Sequence, residues 1–121
     1  MRILVLNDEP SLRTAMTELL VHFGFEVESA ADGDEAVRLC KTEGPFDLAL
    51  TDFMHPGPRG TELVARIRQD NPIQRIVFLT GLEQHQMQDL RRELDEFSVL
   101  LWEGPIDARQ LVDSINSLLG S

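Results

Sequence analysis

The sequence predicts an α/β fold: a doubly wound, five-stranded parallel sheet with helices on both faces. Two observations carry this prediction. Short apolar runs alternate with longer segments in which apolar residues recur every three or four positions, and such alternation is typical of parallel sheets joined by helical crossovers. Acidic and small polar residues follow several of the runs, as they do where open α/β sheets bind ligands.

The five predicted strands differ in how much of their surface they can bury. Residues 3–6, 48–51 and 76–80 are short apolar runs, as expected of parallel strands covered on both faces. Residues 25–30 alternate between apolar and polar side chains, which favours an edge strand with one wet face. Residues 98–102 supply the other edge. The order 2-1-3-4-5 follows, and it makes the first and third strands neighbours.

Helical spacing fills the segments between the predicted strands. The first helix stops at Gly24, the second near Gly44 and the third before Pro72, because glycine and proline end helices. Asp107 is predicted to cap the fifth helix. The fourth, over about residues 84–93, has only a narrow apolar stripe. Together the elements predict a (βα)5, flavodoxin-like fold with right-handed crossovers.

Composition limits the classes of function. A length of 121 residues fits one domain over residues 1–121. The net charge of −10 disfavours direct binding to nucleic acid or an anionic membrane and favours cations and basic partner surfaces. Cys40 is the one cysteine, which excludes an internal disulfide, and we expect it in the core. No apolar stretch suits a signal peptide or a membrane span, so a cytoplasmic location is expected.

Acidic residues end two runs that the predicted strand order makes neighbours. Asn7, Asp8 and Glu9 follow the first strand, and Asp52 closes the third. Carboxylates that converge on one crevice repel one another unless a cation or a shared proton neutralises them. The function is therefore expected at this edge of the sheet.

Four short motifs fall at the predicted strand ends, in residues 3–10, residues 47–52 with Pro56 and Gly60, residues 78–81 and residues 104–107. With them the chain resembles the receiver (CheY-like) domain of bacterial two-component response regulators, over essentially its whole length. Each motif alone is weak, whereas four in this order make a specific pattern.

The resemblance implies a phosphorelay. Asp52 would accept a phosphoryl group from the phosphohistidine of a sensor histidine kinase or of a phosphotransfer protein. Mg²⁺ would screen the two anions from each other. Its implied ligands are the carboxylates of Asp8 and Asp52 and the backbone carbonyl of Met54, with Asn7 as a further candidate.

The resemblance also implies a conformational switch. The Thr80 hydroxyl would hydrogen-bond a phosphoryl oxygen, and Gly81 would leave room for the group to enter. Phosphorylation would pull Thr80 inward and bias a surface made by the fourth helix, fifth strand and fifth helix. A downstream protein would bind that surface, and a homodimer is also compatible with it. The chain would be a signalling domain with at most weak self-dephosphorylation, and not an enzyme.

The chain departs from the family pattern at the site itself. The family carries two adjacent acids after the first strand, whereas the first position here is Asn7, and the lost negative charge should weaken Mg²⁺ binding. The family's lysine, which pairs with the phosphoryl group, is replaced by Gly104, and Lys41 lies far off on the second helix. Leu101 occupies the aromatic switch position. Losing the lysine removes a charge-assisted contact of about 1.5–3 kcal/mol.

Three other functions fit parts of the pattern. The missing lysine and Asn7 also suit a phosphorylation-independent pseudo-receiver that acts as a protein-binding module. An enzyme that hydrolyses phosphate esters through Asp52 would need a second aspartate where Met54 stands. A flavin-binding protein would need a phosphate-cradling loop where the acidic residues 7–10 lie.

Several candidate residues also have a purely structural explanation. Asn7 and Asp8 could cap the first helix ahead of Pro10, and Glu9 is expected to be a solvated acid of that helix's first turn. Asp52 could stabilise its own turn by bonding nearby backbone groups.

Overall fold

One sheet of five parallel strands forms the centre of the computed structural model. The strands are β1 (Arg2–Leu6), β2 (Glu26–Ala30), β3 (Leu48–Asp52), β4 (Ile76–Thr80) and β5 (Leu100–Glu103). Their order in the sheet is β2-β1-β3-β4-β5, as the sequence predicts. The structure describes residues 1–52, 60–80, 92, 100–103 and 107–120, and of residues 52, 80, 101 and 103 it describes the backbone only.

Helices join the strands in the part of the chain that the structure describes. They are α1 (Pro10–His22), α2 (Gly33–Thr42), α3 (Gly60–Asp70) and the C-terminal helix (Ala108–Gly120). The predicted fourth helix falls outside the described residues except for Arg92, so it stays a prediction. The flavodoxin-like α/β fold with a parallel sheet is confirmed. Among the described helices, none is long and apolar enough to cross a membrane.

The core lies in two layers, one on each face of the sheet. Leu4 and Leu6 of β1 join a cluster with the apolar faces of α2 and α3. Ile3 and Val5 join a second cluster with α1 and the C-terminal helix. Successive side chains of a strand point to opposite faces, and all four of these are at most 1% exposed. The apolar run therefore marks a strand covered on both sides, and ligands can reach it only at its ends.

The edge strand β2 has one solvent-exposed face, as its alternating sequence predicts. Glu26 and Glu28 are exposed, whereas Ala30 is buried. The strand begins at Glu26 instead of the predicted Phe25, because the Phe25 N–H donates to the Leu20 carbonyl at 3.0 Å and so belongs to the exit of α1.

At the other edge, β5 extends one residue beyond the predicted end. Its last residue, Glu103, pairs with Thr80 of β4.

Glycine and a capping residue set two helix boundaries where the sequence predicts them. Gly24 follows α1 with φ of 95°, a left-handed conformation that glycine adopts without strain. At the start of the C-terminal helix, Oδ1 of Asp107 accepts from the Gln110 N–H at 2.8 Å, and the Gln110 side chain accepts from the Asp107 N–H at 3.2 Å. This reciprocal capping box satisfies donors that the first helical turn leaves unpaired.

Cys40 lies in the core on α2, as predicted, and is 2% exposed. Burial disfavours the charged thiolate and raises the pKa of the Cys40 thiol to about 11. The thiol therefore stays protonated and unreactive near neutral pH.

Gly44 lies where the chain leaves α2, and we expect it to tolerate no side chain. A Cβ at this position would overlap the backbone carbonyl of Cys40, and backbone cannot move aside as a flexible side chain can. Gly44→Ala should lower the free energy of unfolding by about 1–3 kcal/mol, as measured by urea unfolding followed through Trp102 fluorescence. Gly120→Ala is the matched control, because its Cβ would meet nothing within 4 Å. Equal unfolding midpoints for the two variants would contradict the prediction.

Candidate functional site

The strand register brings the predicted site residues to one edge of the sheet. Leu6 of β1 pairs with Thr51 of β3, so Asn7 and Asp52 are the next residues on two neighbouring strands. Neighbouring strands lie about 4.8 Å apart. Asp52 in turn pairs with Leu79 of β4, and Thr80 follows. The predicted convergence of these three strand ends is confirmed for the backbone, whereas the contacts of the Asp52 and Thr80 side chains stay a prediction.

Asn7 is a buried residue that organises the turn after β1. It is 5% exposed, and its N–H extends the ladder by donating to the Ala30 carbonyl at 3.1 Å. Its Oδ1 accepts from the Glu9 N–H at 2.9 Å. Because only the carboxamide oxygen can accept that bond, Nδ2 points away from it, and no group of the described residues accepts from Nδ2. Within the described part of the chain, Nδ2 of Asn7 is therefore a donor without a partner at the strand end.

Glu9 is the N-cap of α1, so the expectation that Asn7 and Asp8 cap this helix is wrong. Its carboxylate accepts from the N–H groups of Ser11 at 3.2 Å and Leu12 at 2.7 Å. The physical reason is that Pro10 begins the helix and has no N–H to be capped, which leaves Glu9 as the residue before the first turn. Glu9 is exposed, as expected, but it precedes the first turn of α1 and does not belong to it.

Asp8 is the one acid of the turn whose carboxylate remains available. The residue is exposed, and no hydrogen bond or ion pair joins its side chain to any described residue. It lies between Asn7 and Glu9, whose side chains are both engaged in the turn. Because no group of the described residues engages this carboxylate, it is suited to receive a cation.

Arg13 contacts the same turn, and the sequence analysis did not identify it. Its guanidinium donates from Nη1 to the Asn7 carbonyl at 2.8 Å, in a partly buried contact. The residue lies in the first turn of α1, and its side chain runs back towards the carboxyl end of β1. The spacing of apolar residues gives no indication of such a contact. Only a basic residue a few positions after the acidic motif could have suggested it.

Besides Asn7 on the β1 side, Leu101 departs from the family pattern, and it lies in β5 at the far edge of the sheet. Leu101 pairs with Phe78 through the backbone, and Glu103 pairs with Thr80. Gly104 follows Glu103 in the chain and lies outside the described residues, as do Gly81 and Met54.

The donors predicted for a metal are all oxygen atoms, which suits a hard cation such as Mg²⁺. Within the described residues no group of three His, Cys, Asp or Glu side chains could hold a metal ion. The predicted ligand set, however, includes the Asp52 carboxylate and the Met54 carbonyl, which are not described. Of this set the structure describes the exposed carboxylate of Asp8, and its placement fits the prediction.

The parallel sheet, its strand order and the acids at the ends of β1 and β3 are typical of open α/β proteins, a class that binds ligands at the carboxyl edge of the sheet. A sequence model described as the response regulator receiver domain matches residues 3–116. The chain therefore belongs to the receiver domain family of two-component response regulators. Domains of this family are signalling domains and not classical enzymes.

Known proteins similar to the chain include regulators and receiver domains. The transcriptional regulatory protein DltR of Streptococcus agalactiae is 38% identical over 84 residues, 69% of this chain and 37% of DltR. The transcriptional regulatory protein ResD of Bacillus subtilis is 31% identical over 120 residues, 98% of this chain and 48% of ResD. The structure of the response regulator protein TrrA from Thermotoga maritima, in complex with Mg²⁺ and BeF, matches with a TM-score of 0.79 at 30% identity, over 98% of each chain. This chain thus spans between about a third and a half of the length of these curated relatives.

The cap formed by Glu9 should contribute measurably to stability. Glu9→Ala removes two hydrogen bonds to the first turn of α1 and a negative charge beside its amino end. We expect a loss of about 0.5–2 kcal/mol in the free energy of unfolding. Glu18→Ala is the control, because it removes an equal charge from an exposed position of the same helix. If urea unfolding gives both variants the same stability, Glu9 does not act as the cap.

Proposed function

We propose that the chain accepts a phosphoryl group on Asp52 from the phosphohistidine of a sensor histidine kinase or of a phosphotransfer protein. The observation that carries this proposal is the register between β1 and β3, which makes Asn7 and Asp52 next neighbours across two strands. Asp8 follows at once, and its carboxylate has no partner among the described residues.

The transfer needs a nucleophile and an in-line leaving group. A carboxylate oxygen of Asp52 forms the new O–P bond while the N–P bond of the phosphohistidine breaks. The electron pair of that bond stays on the imidazole nitrogen, which takes up a proton. The product is an acyl phosphate on Asp52, and hydrolysis by water would return the free carboxylate in a weak self-dephosphorylation.

Asp8, Asp52 and the carbonyl of Met54 would hold Mg²⁺ at this edge. When bound, the ion supplies positive charge between the phosphoryl group and the carboxylates. The TrrA structure in complex with Mg²⁺ and BeF supports this proposal by similarity. We propose that Asn7 is not a ligand and holds the turn instead, because its oxygen already accepts from the Glu9 N–H.

The two departures at the site offset each other in charge. Asn7 removes one negative charge from the family pattern, and Gly104 removes one positive charge. The pocket formed by Asp8 and Asp52 therefore keeps the net charge that the family pattern gives it, which favours retained phosphoryl chemistry. The lost ammonium contact of about 1.5–3 kcal/mol should appear as a smaller phosphorylated fraction.

The conformational change caused by phosphorylation would pass from Thr80 to the neighbouring edge strand, β5. The Thr80 hydroxyl would bond a phosphoryl oxygen, with Gly81 leaving room for it, and the Thr80 backbone is paired with Glu103 of β5. Beside β5, a shallow groove of about 440 Å³ is lined by Leu100, Trp102 and residues of the C-terminal helix. We propose that this face, with the predicted fourth helix, binds a downstream protein or a second copy of the chain.

Asp52 should be the acceptor when the chain is incubated with a small phosphodonor and Mg²⁺. Intact-mass measurement should show one added phosphoryl group on the wild type and none on Asp52→Asn. Asp70→Asn is the matched control, because it makes the same change at an exposed position at the end of α3, and it should be labelled like the wild type. Labelling should be lost when a chelator removes Mg²⁺. An unlabelled wild type, even with its kinase, would refute phosphorylation and favour the phosphorylation-independent binding module.

Restoring the second acid should strengthen Mg²⁺ binding. Asn7→Asp adds a negative charge one residue from Asp8 and opposite Asp52, and at such distances a unit charge changes cation affinity by about tenfold. Isothermal titration calorimetry with Mg²⁺ measures the change. Asn116→Asp makes the same substitution at an exposed position of the C-terminal helix and should leave the affinity unchanged. Equal Mg²⁺ affinities for Asn7→Asp and the wild type would place the cation site elsewhere.

A further inference from the structure

Two hydrogen bonds hold the two peptide groups on either side of Asp8. The carbonyl of the peptide before it, contributed by Asn7, accepts from Nη1 of Arg13 at 2.8 Å. The N–H of the peptide after it, contributed by Glu9, donates to Oδ1 of Asn7 at 2.9 Å. Arg13 thus holds one of the two peptide groups that flank Asp8, whose carboxylate is exposed.

The guanidinium of Arg13 brings a positive charge to this turn. No carboxylate of the described residues forms an ion pair with it, and the residue is half-buried. From the strand spacing, the charge lies within about 10 Å of the Cα of Asp52. That is close to the screening length of about 8–10 Å at 0.1–0.15 M salt, but a half-buried charge is screened less than an exposed one. The Arg13 charge therefore still acts, in weakened form, on an ion bound at this edge.

We propose that Arg13, held in place by its hydrogen bond to the Asn7 carbonyl, supplies positive charge to the phosphoryl site. Its charge favours the anionic phosphoryl group on Asp52 and opposes the divalent cation held by the carboxylates. This inference rests on the proposed function. It places the cationic group on the β1 side of Asp52.

An electrostatic role predicts effects of opposite sign, and this separates it from a purely structural role. Removing the charge relieves repulsion of Mg²⁺, so cation affinity rises. The same removal takes away attraction for the phosphoryl group, so transfer slows. Damage to the turn alone would displace Asp8, and cation affinity and transfer would then fall together.

Three variants of the whole chain test the inference. Arg13→Gln removes the charge and keeps a polar side chain, and Arg13→Lys keeps the charge. Arg75→Gln is the matched control, because Arg75 also donates from Nη1 to a backbone carbonyl, that of Leu118, at 2.9 Å. Arg75 precedes β4 and so lies at the opposite end of the sheet from the site. Its loss changes the net charge of the chain by the same amount.

Two measurements are made on each variant. Calorimetric titration with Mg²⁺ alone gives the cation affinity, and the initial rate of labelling by a small phosphodonor at saturating Mg²⁺ gives the transfer. For Arg13→Gln we expect about two- to tenfold tighter Mg²⁺ binding and about two- to tenfold slower labelling. Arg13→Lys and Arg75→Gln should stay within about twofold of the wild type in both.

The outcomes distinguish this inference from the proposed function. If Arg13→Gln weakens Mg²⁺ binding, or leaves both quantities unchanged, the inference is overturned while phosphorylation of Asp52 stands. If Arg75→Gln gives the same changes, the effect belongs to net charge and the inference also fails. A wild type that takes up no phosphoryl group overturns the proposed function and this inference with it.

Discussion

Parallel pairing of β1 and β3 is the constraint on which the site depends. A parallel ladder puts the carboxyl ends of both strands at one edge of the sheet, and the register makes Asn7 and Asp52 next neighbours. Neither strand can slide to separate the acids, because a shift of one residue would move each buried side chain of β1 to the opposite face of the sheet, into a core layer packed around a different side chain. The free energy of the core thus holds two negatively charged segments together. Folding therefore places these negative charges close enough to repel one another. A cation that binds between them relieves the repulsion, and this relief adds to its binding free energy.

In the turn after β1 the charged side chains are exposed to solvent and the buried side chain is neutral. Asn7 is the buried member, and a carboxylate in its place would be costly to desolvate without a cation. Glu9 carries its charge at the surface and directs it to the first turn of α1, while Asp8 remains exposed. With asparagine at this position the buried side chain is uncharged and its oxygen accepts from the Glu9 N–H, so it needs no metal to neutralise it. The same asparagine makes the site less negative and so weakens its attraction for a cation. It therefore favours the stability of the metal-free turn over cation affinity.

The features that could be predicted from the sequence are those that the spacing of apolar residues determines, together with the glycine and proline residues that interrupt it. Burial on both faces produces the apolar runs of β1, β3 and β4, and one wet face produces the alternation of Glu26 and Glu28 in β2. Strand order followed from these patterns, and with it the meeting of Asp8 and Asp52 at one edge. The cap by Glu9 and the contact of Arg13 could not be predicted in this way. Both contacts depend on the local geometry of a long side chain and not on the periodicity of apolar residues. Glu9 reaches forward to the first turn of α1, and Arg13 reaches back to the Asn7 carbonyl.

Burial of the one thiol has a consequence for how the domain would behave in a cell and at the bench. Cys40 is packed between α2 and the sheet and stays protonated, so oxidants and alkylating reagents would find no nucleophile there. Oxidation of this thiol is thereby disfavoured. The same property makes the chain a clean background for spectroscopy, since a cysteine introduced at the surface would be the single position to take up a fluorescent or spin label.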